Sequence, residues 1–310
     1  MVEEGRVDPF SEAGEWLRCA LHAHSTRSDG ELAPDALAAH YARAGYDVLA
    51  ITDHWRRTEA AADGLLVIAS AELNCVLPEA RDGHVLAFGI DAEPAELGTE
   101  YADLARTADW VEEHGGVAYL AHPYWTGVTP GDLDLPANVQ GIEVYNAGCE
   151  LEIGRGLASV HWDEVLEARQ RCLAIATDDS HHPGFDSDLA WAWVRAEERT
   201  REAVLEALRR GAFYSSTGPA VRGLDVDRHA VEVRSSPCRS VFLVGGKSQG
   251  AAAHAGRLPY CHRSRVLERA DDGSITRARL EIPLEARHFR IEVVDREARK
   301  AWTNPVWFDD

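Results

Sequence analysis

Lysine is nearly missing from this chain: Lys247 and Lys300 are the only two in 310 residues, so arginine carries almost all the positive charge. With 32 basic against 52 acidic side chains the formal net charge is −20. That field repels nucleic-acid phosphates and argues against a polymer-binding surface, although a local pocket can still accept a small anion. No C-x-x-C pair occurs among the six cysteines (Cys19, Cys75, Cys149, Cys172, Cys238, Cys261), which argues against a structural thiolate zinc site. Cys19, Cys75 and Cys172 lie inside apolar runs and read as small core residues. No apolar run reaches the ~20 residues of a spanning helix. The acidic segment 1–15 has no apolar h-region and does not read as a signal peptide. Internal repeats and low-complexity tracts are missing too. These absences predict a reduced, cytoplasmic protein that engages neither membrane nor nucleic-acid polymer.

What is present is ordinary globular material, 45% hydrophobic and 27% charged, long enough for one large core with a small companion. Up to about residue 215 strands and helices alternate. Strands are expected at 16–22, 47–52, 65–75, 84–90, 117–121, 141–145 and 173–177, with Asp82-Gly83 as a turn. Helices are expected at 34–44, along the stripe Leu97, Tyr101, Leu104, Ala108 and Val111, across 151–171 with a glycine break near its start, and at 200–210. This alternation predicts an α/β fold with a parallel sheet or an α/β barrel. Beyond Ser215-Ser216-Thr217-Gly218-Pro219 the pattern changes to short strands, with Asp227-Arg228 and Asp272-Gly273 as hairpin turns. A first domain over 1–218 and a small β-rich domain over 219–310 are expected.

The chemistry is concentrated in short pairs: His22-Ala23-His24, Thr52-Asp53-His54 and Asp179-Ser180-His181. On a strand, side chains at i and i+2 share a face, so His22 with His24, and Asp179 with His181, can each grip one site. Glu72 and His122 also fall at expected strand ends, where α/β barrels place active sites. Imidazoles and carboxylates deployed this way predict a metal cluster that activates water.

In order along the chain, His22-x-His24-x-x-x-x-Asp29-Gly30, Thr52-Asp53-His54, Glu72, His84, Ala121-His122-Pro123 and Asp179-x-His181 resemble the polymerase and histidinol phosphatase (PHP) superfamily. The resemblance covers about residues 16–217. It implies a distorted (β/α)7 barrel of PHP type, here with a small C-terminal β-sandwich-like domain, and two or three divalent metal ions. By motif, His22, His24, Glu72 and Asp179 would hold one ion. Glu72 would bridge to a second, held by His84 and His122, while Asp29, His54 and His181 would hold a third. Nine nitrogen and oxygen donors without a thiolate suit Zn, Mn or Fe. The implied nucleophile is a hydroxide bridging ions at the Glu72 centre. The segment Gly211 to Pro219, with Ala301-Trp302-Thr303-Asn304-Pro305, resembles the branch of the superfamily that includes carbaryl-hydrolase-like metallohydrolases.

Singly these residues say little. A lone His84 in a strand is an ordinary core or surface histidine, and Asp29-Gly30 is an ordinary turn. Asp178 competes with Asp179; the i, i+2 relation to His181 selects Asp179. Asp53 reads as a group that orients a ligand or as a strand-end cap, and His182 as a substrate contact or a solvated side chain. Arg27 reads as an anion clamp or a surface arginine. Trp55, Arg56, Arg57, Tyr124 and Trp125 fall near the expected mouth, and Glu143 and Asn146 end another strand beside it. His40, His114, His161, His229, His254, His262 and His288 are assigned to structure or solvent. The expected function is a phosphoesterase acting on a small phosphorylated metabolite or nucleotide, with Glu72, Asp179 and Arg27 at the chemistry. The second reading is hydrolysis of a carboxylic or carbamate ester or amide, and the third a metal-bound sensing or scaffolding domain. The expected partner is a small-molecule substrate; the pattern leaves the oligomeric state open.

Overall fold

The computed structural model describes residues 8–97, 102–168, 170–256 and 259–308. They form two units, one spanning Ala13–Ala212 and the other joining the described residues 8–12 to those from 213 to 308.

The first unit mixes strands with short helices. Its order is β1 (Glu15–Ala20), α1 (Pro34–Arg43), β2 (Val48–Ile51), β3 (Leu66–Ala69), β4 (Ala71–Leu77), β5 (Arg81–Phe88), α2 (Leu104–Glu113) and β6 (Val117–Leu120). There follow α3 (Pro123–Thr126), β7 (Val139–Asn146), α4 (Ala147–Ile153), α5 (Ser159–Glu167), β8 (Leu173–Thr177), β9 (Trp191–Ala196) and α6 (Arg201–Arg210). In one sheet β1, β2 and β3 run parallel, with β9 antiparallel against β1. In the other, β4, β5 and β6 are antiparallel neighbours and β6, β7 and β8 are parallel. Isolated parallel bridges, His54 to Glu72 and Ala23 to Ser180, connect the two sheets just beyond the strand ends. Every residue of β2 and of β6 is buried, as continuous apolar runs in covered parallel strands require. Helix α1 starts on Pro34, whose fixed φ suits a first turn, and buries Leu37, Ala38 and Tyr41 in a cluster with Leu49 and Ile51.

Two local expectations change. The run 65–75 is two strands parted at Ser70, whose hydroxyl donates to Ile68 O and accepts from Gly89 N. Asp82-Gly83 is not a turn: these residues pair with Val76 and Cys75 inside the β4–β5 ladder. The turn is Pro78–Ala80, where proline cannot donate to a ladder and Glu79 and Ala80 take φ of 60° and 57°. Gly83 is needed in the strand because a Cβ there would sit 2.5 Å from the Leu77 side chain. The glycine break expected near the start of 151–171 is present: α4 stops on Gly154 in the left-handed region at φ 69°, and α5 begins at Ser159. Tyr101, placed on the α2 stripe, lies outside the described residues.

The second unit holds β10 (Phe213–Ser216), β11 (Val221–Val226), β12 (Ala230–Cys238), β13 (Ser240–Gly245), β14 (Gly250–His254), β15 (Tyr260–His262), β16 (Ser264–Arg269), β17 (Ile275–Glu281), β18 (His288–Val294), β19 (Lys300–Thr303) and β20 (Val306–Trp307). One antiparallel sheet runs β11-β12-β17-β16. The other runs β15-β14-β13-β18-β19-β10, with β20 on β18. Asp227 closes the β11–β12 turn by accepting from the amides of His229 and Ala230 (2.8 and 2.9 Å), and Gly273 takes φ 82° between β16 and β17. All six cysteines are free, Cys261 alone being exposed. Among the described residues, no helix is long and apolar enough to cross a membrane.

Candidate metal centre

Main-chain bonds tie the ligand-bearing segments to each other. His24 N donates to Ser180 O (2.9 Å), Asp179 N to His22 O (3.0 Å), Glu72 N to Asp53 O (3.2 Å) and Ala121 N to His84 O (2.9 Å). His22, His24, His54, His122, Asp179 and His181 therefore sit two to four residues past their strands, while Glu72 and His84 lie within β4 and β5 and Asp29 lies on the loop after β1. Asp179 and His122 depart from extended geometry, with φ of 52° and 26°. Such backbone costs about 1–3 kcal/mol per residue and persists only where its surroundings hold it.

Four side-chain atoms meet at the deepest point. His22 Nε2 and His24 Nε2 are 3.2 Å apart. Asp179 Oδ1 lies 3.1 and 3.2 Å from them, and Glu72 Oε2 lies 3.3 Å from each. His22 donates its Nδ1–H to Glu143 Oε1 (2.8 Å), so Nε2 presents a lone pair. Asp179 Oδ1 is buried without a hydrogen bond. Acceptors converging in the interior repel one another unless a cation lies among them. Two imidazole nitrogens and two carboxylate oxygens are the donor set of a borderline divalent ion, and the residues present fit one. Protons compete for the same atoms. Burial works to lower His22 and His24, but Asp179 and Glu72 outweigh it and raise both, His24 to about 9. Burial likewise opposes ionisation of Glu72 and Asp179, and the surrounding imidazoles hold both well below the usual carboxylate range.

Glu72 faces two ways. Its Oε2 serves the cluster just described and lies 3.3 Å from His54 Nδ1. Its Oε1 lies 2.8 Å from His84 Nδ1 and 3.1 Å from His122 Nε2. A further group, His24, Asp29, His54 and His181, is more open. There Asp29 Oδ1 is 3.5 Å from both His24 Nδ1 and His181 Nε2, and Oδ2 is 3.6 Å from His54 Nε2. All nine expected ligands are thus brought together, but their neighbours differ from the expected grouping. His24 belongs to two groups, and His54 stands near Glu72 and His84 as well as Asp29. Asp179 and His181 fall in different groups, unlike the shared site their i, i+2 spacing suggests, although the motif grouping also separates them; the left-handed backbone at Asp179 breaks the strand alternation, and His181 Nδ1 stays 3.8 Å from Asp179 Oδ1.

Comparison with solved structures sets this arrangement in a known architecture. Over 95% of this chain and 94% of the other, it matches a two-domain protein from Bacteroides vulgatus described as containing a predicted PHP-like metal-dependent phosphoesterase, with a TM-score of 0.54 at 16% identity. The fold is that PHP-like fold. An amidohydrolase from Chromobacterium violaceum with bound sulfate and no metal matches 54% of this chain over 89% of its own, at 19% identity and TM-score 0.37. A Bifidobacterium adolescentis protein to which metal-dependent phosphoesterase activity is attributed matches 54% over 88% of its own, at 17% identity and TM-score 0.40. No model of a known family matches the chain, and no curated protein matches it.

Around the ligands, the PHP-like fold of this chain supplies a layer of orienting groups. Glu143, fully buried on β7, accepts from His22 Nδ1, from the His122 amide (2.8 Å), from Asn146 Nδ2 (2.9 Å) and from Thr177 Oγ1. Asn146 also donates to Asp179 Oδ2 (3.1 Å), while its Oδ1 accepts from the Cys149 amide and caps α4. Asp53 stands outside the ligand groups. It shapes the loop to Asp29 by accepting from Ser25 N, Ser25 Oγ and Ser28 Oγ (2.6, 2.6 and 2.8 Å). Gly30 completes that loop, since a Cβ there would lie 2.1 Å from His24 O. Asp178 also stays outside: it accepts from Tyr41 Oη and the amides of 188, 189 and 190, and burial pushes it up to about 6. Asp186, with no signal in the sequence, accepts from Ser180 Oγ and the amides of His181 and His182.

A cavity of about 470 Å3 opens over this centre. Of the residues expected at its mouth, Trp125 lines it, with its ring 5.1 Å from that of His122 and 6.1 Å from that of His84. His182 lines it too, its Nδ1 2.9 Å from Glu31. Arg27 is exposed on the loop before Asp29 and does not line the cavity. Trp55 turns away and donates to Asn74 Oδ1 (2.8 Å), Arg57 binds Ile90 O, Arg56 is exposed, and Tyr124 lies against His161. His40, His114, His161, His229, His254, His262 and His288 do not line the cavity.

Proposed function

We propose that this chain is a metal-dependent hydrolase and acts as a phosphoesterase on a small phosphorylated metabolite or nucleotide. The observation that carries the reading is Glu72, 1% exposed, with one oxygen toward His22 and His24 and the other toward His84 and His122. A carboxylate so placed is a bridging ligand. In this reading His22, His24, Glu72 and Asp179 hold one ion, Glu72, His84 and His122 a second, and Asp29, His54 and His181 a third. Zn, Mn and Fe suit the donor set. Bound there, divalent ions supply an activated water and neutralise charge building on ester oxygens.

The chain's own residues do the positioning. Glu143 holds His22 in the tautomer that presents Nε2, and Asn146 fixes the Asp179 carboxylate. Arg27 acts as an anion clamp by turning its exposed guanidinium over the mouth. The strands β1, β2 and β4 to β8 are read as a distorted (β/α)7 barrel, and the two bridges between their sheets support this. We assign the chemistry to residues 1–218, leave 219–310 as a β-sandwich-like domain, and infer a cytoplasmic setting in which the cysteines stay reduced.

A second reading, hydrolysis of a carboxylic or carbamate ester or amide, draws on one observation. Among the described residues lining the cavity, none is arginine or lysine, and Trp125, Leu151 and Phe185 give it an apolar side. The deciding experiment loads the protein with Mn or Zn, counts bound metal, and assays phosphate esters beside aryl esters and carbamates. Metal-dependent turnover of phosphate esters is expected. Activity confined to carbonyl substrates gives the second reading. A loaded protein that binds a small molecule without turnover is a sensor or scaffold.

A further inference from the structure

Part of the cavity has no role in holding metal. Trp125, Cys149, Leu151 and Phe185 line it beside the ligands. Leu151 is 48% and Phe185 69% exposed. Folded chains bury most side chains of this kind, and a cluster left in water at a concave site marks a place where something apolar is covered.

Neither residue is exposed through slackness of its segment. The Phe185 loop is pinned by Asp186, which accepts from Ser180 Oγ (2.7 Å) and from the amides of His181 and His182 (2.8 Å each). Phe185 N itself donates to His182 O (2.9 Å). Leu151 rides on α4, whose first turn is held by the Asn146 cap and by Gly148 N donating to Asp178 O (2.8 Å). The same Asn146 orients Asp179. The apolar side and the metal ligands are therefore set by shared bonds.

Charge sharpens the choice of occupant. Outside the ligands, the acids on the cavity are Glu152 and Asp186, His182 is engaged with Glu31 across 2.9 Å, and no arginine or lysine is among the described lining residues. Glu152 lies 3.3 Å from the Trp125 indole N–H and occupies that donor. A second phosphate or a carboxylate on the non-reacting part of a substrate would meet an acid and no cation. A ring would meet the faces of Trp125 and Phe185.

We infer that the leaving portion of the substrate is an uncharged, apolar, ring-bearing alcohol, covered by Trp125, Leu151 and Phe185. This rests on the hydrolase reading above. It narrows that reading from phosphorylated metabolites in general to monoesters of such alcohols, and away from nucleoside polyphosphates. In the reaction a water oxygen bonds to phosphorus, the bond from phosphorus to the ester oxygen breaks, and the alcohol departs with one of the water's protons.

The test compares 2-phenylethyl phosphate with glycerol 3-phosphate on the Mn- or Zn-loaded protein. Both release aliphatic alcohols, so activated aryl leaving groups do not confuse the result. The phenylethyl ester should be preferred at least tenfold in kcat/KM. Phe185→Ala and Leu151→Ala should together bring that ratio below threefold. Equal turnover, or preference for the glycerol ester, overturns the inference while the phosphoesterase reading stands. So does a preference that survives both substitutions. If neither phosphate is hydrolysed, the phosphoesterase reading fails separately. Saturation-transfer NMR with 2-phenylethanol and glycerol then decides the inference. Contact with 2-phenylethanol that Phe185→Ala weakens upholds it; no such contact overturns it.

Discussion

In the second unit, Arg290 is 1% exposed and Glu292 8%, two residues apart on β18 with their side chains bonded to each other. Lys300 Nζ lies 3.6 Å from the remaining Glu292 oxygen. In the first unit, His22 and His24 are also two residues apart and fully buried. There the i, i+2 relation brings two lone-pair nitrogens to 3.2 Å, with carboxylate oxygens against both. Both pairs follow from the same geometry of an extended chain. The first joins a cation to an anion. The second is a set of acceptors that fits a divalent cation. Buried charge thus marks a functional site here only where the partners are alike.

The comparison breaks most visibly at Asp179. Asp179→Ala removes the oxygen that lies 3.1 and 3.2 Å from the two imidazoles. Loss of a group that merely orients a ligand costs 10–100-fold, so removing a direct ligand should lower kcat/KM by more than about 100-fold and reduce bound metal. Elemental analysis beside steady-state kinetics checks it; full activity at normal metal content would remove Asp179 from the centre. Arg290→Met is the counterpart. It leaves Glu292 buried with only the more distant Lys300, and breaking a buried pair costs about 3–5 kcal/mol. Urea unfolding should show that loss with metal content unchanged. A loss under about 1 kcal/mol would mean the pair is no counterpart to the cluster.

Much of the centre was legible because imidazole and carboxylate pairs two residues apart on extended chain have few structural uses. Their spacing picked out His22, His24, Asp179 and His181, and the ordered resemblance added Asp29, His54, Glu72, His84 and His122. The sharing of His24 between groups was not legible, because it depends on which ring nitrogen each partner reaches. Spacing alone also missed the separation of Asp179 from His181, which the motif grouping implied and which goes with a φ of 52° that no residue preference announces. Glu143 carried a signal, an acid inside the otherwise apolar run 141–145 of β7, but three of its four partners come from three other segments. In the fold, helix α1 was readable from Pro34 and its apolar stripe. The strand break at Ser70 was not, since it reflects pairing to different sheets. Arg27 was singled out only by its position between motifs; its side chain is exposed and does not line the cavity as the loop stands.

Glu143→Gln sharpens the comparison more finely. It keeps the side chain's size but removes the charge that fixes the His22 tautomer. Metal affinity should fall about 10–100-fold, read by titration against a chelating dye, and melting in excess chelator should fall too, because the new amide nitrogen faces two of the four buried donors. An unchanged affinity would mean His22 needs no orienting partner.

Trp125→Ala gives the smallest effect and separates the cluster from its cover. The indole packs against His84 and His122 but offers them no hydrogen bond; its N–H goes to Glu152. Removing it takes away a ring face worth about 0.5–1.5 kcal/mol in aromatic contact, or roughly a 2–12-fold rise in KM. Metal content should hold, because the orienting bonds to Glu143 and Asn146 do not pass through the indole. If metal were lost while KM stayed constant, Trp125 would be a support for the imidazoles rather than a surface for substrate.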